Sequence, residues 1–139
     1  MEVNRGAMTI LVVDDDASLL DVVHVVLEGA GYRTLKALNG EEALRVAQAH
    51  PGPIALLLAD VVMPGLSGPE VAARLHATQP RTKVLFMSGF TTEYVQARGL
   101  REGDPLLVKP FSPETLLSKV RAMLVSRSPF ARRPQQPRR

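Results

Sequence analysis

The sequence predicts an α/β fold, a doubly wound five-stranded parallel sheet with helices on both faces, and three observations carry that reading. Short strand-like runs recur at residues 9–13, 32–38, 54–59, 83–87 and 106–108, most of them continuously apolar, as strands buried on both faces are. Helix start and stop signals fill the intervals between them, the alternation expected of βα units. Four of the runs also end in a chemically active residue: Asp14 and Asp15, then Asp60, Ser88 and Lys109. Open α/β sheets bind their ligands at the carboxyl ends of the strands, so parallel pairing would gather these side chains at one edge.

Each element has its own local warrant. Residues 9–13 form the first strand, and Asp16 is placed to cap a helix from Ala17 to about Ala30, ended by Gly31. This helix is apolar enough to be largely buried, with Asp21, His24 and Glu28 as a polar stripe that makes His24 a surface histidine. After the second strand, Asn39 and Glu42 have capping-box spacing for a helix from Gly40 to about Ala49. Pro51-Gly52-Pro53 leads into the third strand, which stops at Asp60 before the breaker Pro64-Gly65. Ser67 and Glu70 repeat the capping box, with Pro69 in the first turn of a helix reaching Thr78. A short helix with a weak pattern spans residues 91–98, near Gly99 and Gly103. Ser112 followed by Pro113 opens the last helix, where Leu116, Leu117, Val120, Met123 and Leu124 recur at helical spacing.

At 139 residues and 45% hydrophobic content, the chain is most simply one globular domain. The absence of cysteine excludes disulfides and thiolate metal sites. No apolar run approaches the roughly 20 residues that span a bilayer, and the first residues lack the apolar core of a signal peptide, so a cytoplasmic location is expected. The net charge of +3 is a property of one end: Arg127, Arg132, Arg133, Arg138 and Arg139 all lie in residues 126–139, and without them the chain carries about −2. The expected organisation is a flexible start at 1–7, a domain at 8–125, and a basic Pro/Arg-rich disordered tail at 126–139.

Three carboxylates at one sheet edge repel. Two unit charges about 4 Å apart cost about 4 kcal/mol at an effective dielectric near 20. A hard divalent cation relieves this, and an oxygen-only donor set from Asp14, Asp15 and Asp60 favours Mg²⁺. Lys109 and Ser88 then suit phosphoryl oxygens as a cation and a hydrogen-bond donor, and an aspartate is a competent nucleophile for an acyl phosphate. A nucleotide-binding fold would need Gly-x-Gly-x-x-Gly or a Walker loop, and neither is present. A Mg²⁺-dependent phosphatase with an aspartyl nucleophile would need a second aspartate two residues after that nucleophile on the first strand, and room for a capping insertion. A helix follows the first strand directly here.

Val12-Val13-Asp14-Asp15, Asp60-Val61-Val62-Met63-Pro64-Gly65, Ser88-Gly89 and Lys109-Pro110-Phe111 together resemble the motifs of the receiver domain of two-component response regulators, a flavodoxin-like fold. The resemblance spans about residues 9–125 and rests on four motifs in order. It implies that Asp60 accepts a phosphoryl group from a histidine kinase or a histidine phosphotransfer protein in a Mg²⁺-dependent reaction. It also implies that Asp15, Asp60 and the backbone carbonyl of Val62 ligate the metal directly, with Asp14 acting through bound water. Ser88 would turn toward the phosphoryl group, Lys109 would pair with it, and the Lys109–Pro110 bond would be cis. Such a chain is a phosphoacceptor rather than an enzyme in the usual sense: it promotes its own aspartyl phosphorylation and slow dephosphorylation, and signals by contact with a downstream protein target as a monomer or weak homodimer.

The sequence departs from the family's pattern in two places. The aromatic residue that often stands three positions before the lysine, and whose rotation reports activation, is Leu106; the usual threonine is Ser88. Ser88-Gly89-Phe90 and the short fourth helix are more similar to receivers attached to hybrid histidine kinases, so an alternative is an excised receiver of that kind relaying phosphate to a phosphotransfer protein. The 14 residues after Val125 are too few for a DNA-binding domain. An interaction module whose arginine-rich tail binds nucleic acid or anionic lipid is the reading from a different class.

Overall fold

A computed structural model describes residues 7–126. Five strands, β1 (Thr9–Val13), β2 (Arg33–Ala37), β3 (Leu56–Asp60), β4 (Lys83–Ser88) and β5 (Leu106–Val108), pair in parallel in the order β2-β1-β3-β4-β5. Five helices alternate with them: α1 (Ala17–Gly29), α2 (Gly40–Ala49), α3 (Gly68–Thr78), α4 (Thr92–Gln96) and α5 (Pro113–Val125). Successive strand side chains point to opposite faces, so each buried strand feeds two cores. Leu11, Val13, Leu57, Ala59, Val84 and Phe86 pack with α2, α3 and α4, while Ile10, Val12, Leu56, Leu58, Leu85 and Met87 pack with α1 and α5. The doubly wound fold is as expected. β3 sits in the middle of the sheet with every residue buried, so its carboxyl end lies between those of β1 and β4. Among the described residues no helix is long and apolar enough to cross a membrane.

The caps follow the sequence signals. Asp16 accepts from the N–H groups of Ser18 and Leu19. At the other end of α1, Gly31 takes φ +99°, and Gly31 N–H and Tyr32 N–H donate to Glu28 O and Leu27 O, the paired bonds of a Schellman stop. Ser67 and Glu70 form the complete capping box. At α2 only half of the expected box forms: Asn39 Oδ1 accepts from Glu42 N–H at 2.8 Å, but the Glu42 carboxylate accepts from Leu38 N–H, one residue earlier, at 2.6 Å.

Three expectations need correction. β3 begins at Leu56, not at residue 54, because Ile54 is bonded by side chains: its N–H donates to Gln79 Oε1 and its carbonyl accepts from Thr82 Oγ1. α4 is shorter than expected, with Thr91 as its cap and Gly99 at φ +106° turning the chain back. α1 is not largely buried: Leu20, Val23 and Leu27 face the core, but Val22 and Val25 are 56% and 68% exposed. An edge-packed helix buries one stripe, however apolar its other residues are. The Asp21-His24-Glu28 stripe also turns toward β2: Lys36 pairs with Asp21 at 3.2 Å, and Thr34 hydrogen-bonds with both His24 and Glu28. His24 is therefore half-exposed and partnered. Apart from Ala7 and Ser126, the expected flexible start and basic tail lie outside the described residues.

Candidate functional site

The register assembles the site. Val13 pairs with Ala59, so Asp14 comes off β1 beside Asp60 on β3, while Asp60 pairs with Met87 and Ser88 is one residue further along β4. Ser88 pairs in turn with Val108, which brings Lys109 off β5 next to it; Lys109 N–H donates to Ser88 O at 2.9 Å. Asp14, Asp15, Asp60, Ser88 and Lys109 thus come from four strand ends to one edge, as the sequence predicts. The Lys109–Pro110 peptide is cis, also as expected.

Asp14, Asp60 and Ser88 are buried, Asp60 being only 6% exposed, whereas Asp15 is open to solvent. Lys109 Nζ donates to Asp14 Oδ2 at 2.7 Å and to Asp60 Oδ2 at 3.1 Å, a cation shared by two carboxylates. The other oxygens are held by the loops: Asp16 N–H donates to Asp14 Oδ1 at 2.9 Å, and Val62 N–H reaches Asp60 Oδ1 at 3.4 Å. Burial, reinforced by the charge of Asp14, pushes the Asp60 carboxyl up to about 6, and Lys109 only partly opposes this. Burial pulls the Lys109 ammonium down, but its hydrogen bond to Asp14 and the charges of Asp60 and Asp14 outweigh that and leave it above its usual value. One lysine therefore leaves the acidic cluster under-neutralised. Oxygens from Asp14, Asp15 and Asp60 lie within 4.8 Å of one another, a donor set that fits a hard divalent cation.

One residue that shapes the site was not singled out from the sequence. Gly68, at the start of α3, lies so close to β3 that a Cβ there would meet the carbonyl of Asp60, and its N–H donates to Val61 O at 3.0 Å. A glycine wedged between a cap serine and a proline is the signal that could have marked it. Phe90, named from the Ser88-Gly89-Phe90 run, makes a bond that nothing in sequence announces: its N–H donates to Ser88 Oγ at 2.9 Å. One surface cavity, about 640 Å³, is lined by residues such as His50, Ile54, Arg74 and Thr82 and shares none with the carboxylate cluster. Another, about 540 Å³, is bounded by Val61, Val62, Glu70 and Arg98 beside the β3–α3 loop.

Comparison with known proteins gives a consistent result. The chain is 35% identical over 116 residues to the alkaline phosphatase synthesis transcriptional regulatory protein PhoP of Bacillus subtilis, covering 83% of this chain and 48% of that protein. It is 37% identical over 117 residues to the DNA-binding response regulator MtrA of Mycolicibacterium paratuberculosis, covering 83% of this chain and 50% of that one. The chain thus spans about half the length of these curated relatives. Among solved structures, the chemotaxis protein CheY4 of Vibrio cholerae superposes with a TM-score of 0.73 at 33% identity, over 85% of this chain and 99% of that one. The receiver domain from the hybrid histidine kinase CckA gives a TM-score of 0.71 at 34% identity, over 84% of this chain and 98% of that one. Residues 10–121 match the family model of the response regulator receiver domain. This chain belongs to that family, the receiver domains that kinases phosphorylate in two-component signalling.

Proposed function

We propose that Asp60 is the phosphoacceptor of this receiver. The observation that carries the proposal is the position of its carboxylate: buried at the end of the central strand β3, beside Asp14 and within 3.1 Å of the Lys109 ammonium. An Asp60 carboxylate oxygen attacks the phosphorus of a phosphohistidine on a histidine kinase or phosphotransfer protein. A P–O bond forms as the P–N bond breaks, the imidazole leaves, and the product is an acyl phosphate. Lys109 turns its ammonium from the carboxylates to the new phosphoryl oxygens, and Ser88 donates its hydroxyl proton to another. Asp14, Asp15, Asp60 and the Val62 carbonyl would hold Mg²⁺. When bound, that ion supplies positive charge to offset the carboxylates and the incoming phosphoryl group.

Signalling then proceeds by contact with a downstream protein target. Onward relay to a histidine phosphotransfer protein is the second reading, favoured by the likeness to the receiver domain from the hybrid histidine kinase CckA. The test is incubation with Mg²⁺ and a small phosphodonor followed by intact mass. The parent should gain one phosphoryl group and an Asp60→Asn variant none; equal labelling of the two would refute the assignment.

A further inference from the structure

Ser88 is tied through Oγ to the segment that leaves the site for the surface, because Phe90 N–H donates to it. From there a column of side chains runs outward. The Phe90 ring, 53% exposed, stacks on Tyr94 with centroids 4.4 Å apart and planes at 23°. The guanidinium carbon of Arg98 lies 3.7 Å from the centre of the Tyr94 ring. Positions 90, 94 and 98 succeed one another at i, i+4 spacing, so the three side chains form a continuous strip. Little else holds this segment: α4 has five residues, of which only Val95 is buried, and Gly99 turns the chain back at φ +106°. On the neighbouring strand, Leu106 has no ring to respond to a movement of Ser88.

We infer that the Phe90-Tyr94-Arg98 column is the readout of the site in this chain, and that it is released when Ser88 Oγ is drawn to an anionic group on Asp60. The inference rests on the reading of Asp60 as phosphoacceptor. The Ser88 side chain has one rotor, and moving Oγ to a new staggered position takes the acceptor away from Phe90 N–H. That N–H then needs another partner, so the backbone at Gly89 and Phe90 shifts. The Phe90 ring moves with its backbone and slides off Tyr94, which leaves an exposed ring and a re-aimed guanidinium where there had been a closed stack.

The chain contains two tyrosines and no tryptophan, so a Tyr32→Phe background makes Tyr94 the sole emitter. The full chain is titrated with Mg²⁺ and beryllofluoride, with tyrosine emission reporting the column and fluorine NMR reporting the bound fluoride. The expected result is a change in Tyr94 emission that saturates together with the bound-fluoride signal. In Phe90→Ala the emission response should be lost while the bound-fluoride signal persists. In Ser88→Ala the emission without ligand should already match the saturated parent. Bound fluoride with unchanged Tyr94 emission overturns the inference and leaves the Asp60 assignment standing; no bound fluoride in the parent overturns both. A full emission response in Phe90→Ala, or resting emission in Ser88→Ala, also overturns the inference.

Discussion

Replacing Asp60 by asparagine should make the metal-free protein more stable at neutral pH while removing its proposed phosphoacceptor. Burial and the neighbouring Asp14 raise the Asp60 carboxyl from 3.8 to about 6, so between these values the folded chain holds a proton that the unfolded chain has released. The stability associated with this group is therefore complete below about pH 4 and is lost as pH rises through about 6. At about 1.4 kcal/mol per pH unit, the loss at pH 7 is on the order of 2–3 kcal/mol. The low end of that range applies because Lys109 gives up one of its two carboxylate partners in the variant. Asparagine carries no charge to bury and keeps the shape. Urea unfolding at pH 4, 5, 6, 7 and 8 with divalent cations chelated would measure this through the midpoint at constant slope. The expected pattern is near-equal stability of parent and variant at pH 4, with the variant pulling ahead by about 2 kcal/mol at pH 7. A variant no more stable than the parent at pH 7, or a gap that does not change with pH, would refute the reasoning.

Three further outcomes are expected. Asp15→Ala should weaken Mg²⁺ binding in calorimetry and slow phosphorylation in parallel, since it removes an exposed carboxylate from the cluster; unchanged Mg²⁺ affinity would show that the three aspartates do not form one site. Gly68→Ala should destabilise the fold by about 1–3 kcal/mol in urea, as overpacking does, because the added Cβ meets the Asp60 carbonyl, while Ser67→Ala beside it should cost only about 1 kcal/mol as a lost cap. A Val62→Asn, Phe90→Glu double variant should shorten the lifetime of the phosphoryl group, measured by decay of the intact-mass shift. Val62 follows Asp60 by two residues and Phe90 follows Ser88 by two, and neither apolar side chain can hydrogen-bond the water that hydrolyses an acyl phosphate; equal decay rates would contradict this.

The sheet and its active edge were legible because buried parallel strands leave so plain a trace. β1, β3 and β4 are apolar on both faces, and Asp14, Asp60, Ser88 and Lys109 stand at abrupt ends of such runs. Caps were legible where serine or aspartate preceded a helix, and half-legible at Asn39, because spacing does not say which N–H the Glu42 carboxylate takes. The exposure of Val22 and Val25 was hidden, since composition gives the apolarity of a helix and not how many neighbours cover it. Gly68 against the Asp60 carbonyl and the bond from Phe90 to Ser88 were hidden for a related reason: both depend on how closely loops approach after the strands have paired.

The most direct test of the central claim is to locate the phosphoryl group. After transfer from a phosphorylated histidine kinase, borohydride reduction converts an aspartyl phosphate to homoserine, which peptide mass mapping can place. Conversion at residue 60 alone is the expected result, for that carboxylate is the one buried at the end of the central strand with Lys109 beside it. Homoserine at residue 14 or 15, or phosphate retained on a hydroxyl with no reduced aspartate, would contradict the account.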